Sequence, residues 1–60
     1  MILYAVKTDA GYLRDKGEGG VFLTNLTSAS VFSDQKSAGK LQKKYGDGYI
    51  VELTLTERAI

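Results

Sequence analysis

The chain predicts an α+β domain of βββαβ order, with one helix packed on one face of a mixed sheet. Three observations carry that reading. The opening run 2–6 is apolar on both alternating faces, residues 34–46 hold a capped basic helix, and 49–56 alternate apolar with polar. Sixty residues make one domain, with 57–60 as a flexible tail, near the size where a single core only just outweighs chain entropy.

Ile2, Leu3, Tyr4, Ala5 and Val6 have the pattern of a strand covered on both sides, so the first strand is central. Thr8, Asp9, Ala10 and Gly11 suit a short hairpin loop, Asp9 bonding its own backbone, into a second strand over 12–14. The glycine-rich segment 15–20 punctuates the chain before a third strand over 21–24. Residues 25–30 carry helix-capping types around one helical turn, which sends Leu26 and Ala29 inward and delivers Val31 and Phe32 to the core.

Ser33 or Asp34 caps the following helix, and Lys43 and Lys44 stand near its negative dipole end. Ala38, Leu41 and Tyr45 recur at three and four residues and form the buried face, while Lys36, Lys40 and Lys43 project oppositely with Lys44 at the edge. Gly46 stops the helix, and Asp47-Gly48 turns the chain into the last strand. There Tyr49, Val51, Leu53 and Leu55 share one face, and Ile50, Glu52, Thr54 and Thr56 the other. Treated as a crossover, the helix returns this strand parallel to the first, in the order 3-2-1-4. One helix covers one face only. The other is left to water or a partner, with Leu3, Ala5, Phe22 and Ile50 as its residues, and a homodimer is the expected consequence.

With 43% apolar and 25% charged residues the chain folds rather than remaining disordered. It has no cysteine and no histidine, which removes disulfides, thiolate nucleophiles, the usual zinc ligands and the side chain best suited to proton transfer near neutral pH. The carboxylates Asp9, Asp15, Glu18, Asp34, Asp47, Glu52 and Glu57 form no close pair in the sequence, so neither shared-proton chemistry nor a metal cage is expected. The glycines of 16–20 precede a strand rather than a helix, so they read as a hairpin loop and not a phosphate cradle. No enzyme activity, cofactor or metal is expected. The missing cysteines, and a start without a secretory signal, read as a cytoplasmic protein.

The strongest surface feature is the helix face of Lys36, Lys40, Lys43 and Lys44, with Gly39 beside it, read as the partner-binding surface against an acidic protein patch or phosphates. Its bland counterpart is a solvated face, since the net charge is only +1. Among the tyrosines, Tyr45 and Tyr49 read as core.

In layout, the opening Leu3-Tyr4-Ala5-Val6-Lys7, a glycine turn, the run from Leu26 to Phe32, a helix with Ala38 and a closing Val51-Glu52-Leu53, the chain resembles small proteins encoded by phages and prophages of Gram-positive bacteria. The resemblance implies a non-enzymatic protein that inhibits a bacterial host protein, such as an anti-phage defence component, by occluding a functional surface in the host cytoplasm. Two alternatives stand beside it: a small nucleic-acid-binding regulator using the same lysines, and a structural piece of a virion.

Overall fold

The computed structural model describes residues 1–60. Four strands, β1 (Ile2–Thr8), β2 (Gly11–Asp15), β3 (Val21–Thr24) and β4 (Tyr49–Thr54), form one sheet in the order β3-β2-β1-β4, and a helix α1 (Gln35–Tyr45) lies on one side of it. The fold is α+β, and β1 is an interior strand as its two apolar faces require.

Local chemistry sets the ends of the elements. The Thr8 hydroxyl accepts from the Ala10 N–H at 3.1 Å and donates to the Gly11 carbonyl at 3.2 Å, closing the first hairpin; Thr8 performs the task expected of Asp9. At the second hairpin, a 3₁₀ turn over Gly17–Gly19 is held by the Asp15 carboxylate, which accepts from the Gly17 N–H at 2.8 Å. Asp34 caps α1 by accepting from the Ser37 N–H, at 2.6 Å, and Gly46 ends it in the left-handed conformation at φ 89°.

The sheet is antiparallel throughout, not mixed. β4 runs antiparallel to β1, from Lys7 against Tyr49 to Ile2 against Thr54. The physical reason lies in residues 25–34, which make an additional pass down the sheet. After β3 a second 3₁₀ turn (Leu26–Ser28) leads into residues 30–32, which descend between β1 and β2. Ser30 donates its N–H to the Leu13 carbonyl at 3.0 Å, and Phe32 forms an antiparallel bridge with Tyr4. The helix therefore starts at the opposite end from where a direct crossover would place it, and the strand after it points the other way.

Register fixes the two faces. Val6 opposes Ile50, and Leu13 opposes Leu23. Val6, Leu13, Ala38 and Leu41 form the buried cluster, with Tyr4, Val21, Phe32 and Ile50 packed against it. Val6 and Leu13 are fully buried, contributing about 1.5–3 kcal/mol each by leaving water. Phe32 joins this core as expected. Tyr45 and Tyr49 do not: they are 36% and 47% exposed, Tyr45 at the last position of α1 and Tyr49 on the sheet face away from the helix. Leu26 is likewise exposed rather than inward, and Ile50 lies on the helix side of the sheet rather than the bare side.

Candidate functional site

On the face away from α1, cross-strand pairs stack into rows. Lys7 stands between Tyr12 of β2 and Tyr49 of β4, Ala5 pairs with Val51, and Leu3 pairs with Leu53. The Lys7 ammonium sits 5.2 Å from the centre of the Tyr12 ring, a cation–π contact that presents the lysine stem as part of an apolar surface. Arg14 of β2 and Phe22 of β3 continue the face, and Lys16 covers the Phe22 ring at 5.1 Å.

The alternation of β4 explains why this surface is apolar. Its apolar residues Tyr49, Val51 and Leu53 are on the bare side, and only Ile50 of its helix side reaches the core. The amphipathic strand thus turns its apolar edge of residues outward, opposite to the usual arrangement in a half-covered sheet. At the lower end, Leu3, Leu53 and Leu55 meet Leu26 and Val31, side chains brought there by the pass of residues 25–34, and these five with Glu52 and Thr54 line a groove of about 420 Å³. Leu26, Val31 and Leu55 are roughly half exposed.

The lysines occupy a different surface. Lys36, Lys40 and Lys43 are exposed on α1 and form no ion pair. Lys44 is engaged: its ammonium meets the Asp15 carboxylate at 3.1 Å, tying the end of α1 to the end of β2. Asp15 is held below the ordinary carboxylate value by the Gly17 N–H first and by Lys44 second. Gly39 stands at the edge of the lysine face, three residues after Lys36 and four before Lys43. It is half-buried towards β4, where a Cβ would lie 4.0 Å from Ile50 Cδ1. Lys36, Lys40 and Lys43 thus form a basic surface without ion pairs, while Lys44 is exposed but paired with Asp15.

Comparison with protein-family models, with curated proteins and with solved structures finds no match.

No three of the chain's Asp and Glu residues come together in a way that could hold a metal ion. Asp9 and Asp47, from two turns at the same end of the sheet, do line one small hollow with Thr8, Gly48 and Tyr49. No helix is long and apolar enough to cross a membrane. The sheet-face groove was invisible to spacing arguments because its five apolar residues come from three separate parts of the chain. The one sequence signal pointing to it was the four-residue apolar alternation of β4 and its continuation, read without knowing which side it faced.

Proposed function

We propose that this protein is a non-enzymatic binding module that covers a functional surface of a bacterial host protein with its bare sheet face. The observation that carries the reading is the groove of Leu3, Leu26, Val31, Leu53 and Leu55, continuous with Val51 and the Tyr12–Lys7–Tyr49 row, on the side of the sheet that α1 leaves open. A contiguous apolar face rimmed by polar groups is what protein contact surfaces look like, and tyrosine side chains supply contact area at little ordering cost. The resemblance to phage proteins supplies the class of target, a host defence component.

A second reading is favoured by one specific feature, the three unpaired lysines Lys36, Lys40 and Lys43. On phosphates they would act as a nucleic-acid footprint, with an affinity falling steeply as salt rises. Capture of partners by the tagged chain from nuclease-treated and untreated bacterial lysates, eluted across a salt gradient, separates the two. The binding reading expects a discrete protein retained after nuclease and at high salt. Recovery that requires nucleic acid and vanishes with modest salt would replace it with the lysine reading.

A further inference from the structure

We propose that two copies of this chain pair edge to edge through β4, antiparallel about a two-fold axis at Leu53, to make one eight-stranded sheet. The inference goes beyond the binding reading; it is argued from the strand edge, and its seam also engages Val51, Leu53 and Leu55 of the bare face on which that reading rests. Sequence alone pointed to the bare face as the dimer contact; the hydrogen-bonding pattern points to the edge.

β4 is an outer strand, and the direction of each of its backbone groups follows from its neighbours. Met1 and Leu55 exchange both backbone bonds, at 2.8 and 3.4 Å, and Tyr4 spends its own N–H and C=O on Phe32 at 2.8 Å each. In the register that sets Tyr4 against Glu52, the odd residues of β4 bond to β1 and the even ones point outward. Ile50, Glu52 and Thr54 therefore hold out a row of free donors and acceptors. Few of the devices that usually protect such an edge are present: β4 contains no proline and no lysine, and Glu52 is its one charge. The opposite edge, β3, is four residues long and has Lys16 lying over its Phe22.

Self-pairing must oppose even residues to even residues, and three registers do so while pairing at least two of Ile50, Glu52 and Thr54 with one another. Centring on Glu52 sets that carboxylate directly against its own copy, an unfavourable pair. Centring on Val51 requires Gly48 to join the ladder, yet Gly48 has φ +97° and its carbonyl already accepts from Gln42 Nε2 at 2.6 Å. Centring on Leu53 meets neither obstacle. It places Leu53 against Leu53 of the second copy, Val51 against Leu55, Glu52 against Thr54 and Ile50 against Thr56, so apolar meets apolar on the bare side and each Glu52 meets a hydroxyl.

The exposed area agrees with a missing partner. The chain exposes 4480 Å², whereas size scaling gives a compact chain of 6.5 kDa about 3800 Å², and the roughly 650 Å² of excess approaches the ~800 Å² that each partner covers in a standard interface. Beside the edge, Tyr49 and Leu55 are 47% and 51% exposed. In the dimer the two bare faces lie on the same side and join.

The chain has no cysteine, so single replacements report the register cleanly. Leu53→Cys, in a closely spaced non-hydrogen-bonded pair, is expected to cross-link to its own copy under mild oxidation, while Val51→Cys and Leu55→Cys cross-link to one another when mixed but not to themselves. Glu52→Pro removes only an outward N–H; it is expected to keep the circular dichroism of the parent and to sediment as a monomer. A parent chain that sediments as a monomer at every accessible concentration overturns the proposal and leaves the edge to a foreign strand. A dimer that survives Glu52→Pro, or that cross-links through Val51→Cys alone, overturns it in favour of a contact elsewhere.

Discussion

Tyr4 and Phe32 exchange both of their backbone hydrogen bonds, each 2.8 Å long, although 28 positions separate them in the chain. The bridge holds residues 30–32 in the fork where β1 and β2 part, with Ser30 completing it: its N–H meets the Leu13 carbonyl and its hydroxyl accepts from the Asp15 N–H at 2.9 Å. This wedge reverses β4, and it also carries Val31 to the bare face and Phe32 to the core. Replacing Ser30→Ala leaves a part-buried donor without its acceptor, and a loss of about 1 kcal/mol in urea unfolding is expected. An unchanged midpoint would show that the hydroxyl plays no part in holding the fork.

Leu13 is the core residue least able to be spared. It is fully buried against Val6, Ala38 and Leu41, so Leu13→Ala should cost about 2–5 kcal/mol. A single core of this size supplies only some 3–5 kcal/mol in total. The variant is therefore expected to be largely unfolded by circular dichroism at room temperature.

Gly39 offers the opposite change. Within α1 glycine costs about 1 kcal/mol relative to alanine, and the space for a methyl is present, with Ile50 Cδ1 at ordinary contact distance of 4.0 Å. Gly39→Ala should raise stability by about 0.5–1 kcal/mol in thermal unfolding. A loss instead would mean that the helix sits closer to β4 than this packing allows.

Asp34 and Asp15 make the fold sensitive to acid. Asp34 is held below its ordinary value of 3.8 by the Ser37 N–H first and the Ser37 hydroxyl second, and Asp15 is lowered by the Gly17 N–H and Lys44. Both carboxylates are favoured in their ionised form by folding. Their contribution is complete above the ordinary value and is lost as pH falls through 3.8 towards the lowered folded values. Denaturant midpoints should therefore decline as pH drops below about 4, and Asp34→Asn, which keeps a capping oxygen but no titratable group, should flatten part of that decline.

The parts of the fold legible in the sequence are those decided by neighbours along the chain. Asp34 and Gly46 announce the ends of α1 by local cap chemistry, the hairpins follow from their turn residues, and the two-sided apolar run of β1 marks an interior strand. The direction of β4 was not legible, because it depends on the bridge between Tyr4 and Phe32, which no local pattern encodes. The alternation of β4 likewise shows two unlike faces without showing which one the helix covers; pairing Val6 with Ile50 decides it. For the same reason the lysines of α1 were visible as a surface from their spacing, whereas the groove of Leu3, Leu26, Val31, Leu53 and Leu55 exists only once the register is known.

The bare face as the contact surface is tested most directly by affinity for the captured host protein. Leu26→Ser with Val31→Ser alters two exposed rim residues of the groove, and Lys36→Glu with Lys40→Glu and Lys43→Glu reverses the basic helix surface, in both cases without touching the buried cluster. Titration calorimetry should show the groove variant weakened at least tenfold, about 1.4 kcal/mol, and the lysine variant close to the parent. Parent-like affinity in the groove variant, with binding lost in the lysine variant, would contradict the account and return the contact to α1.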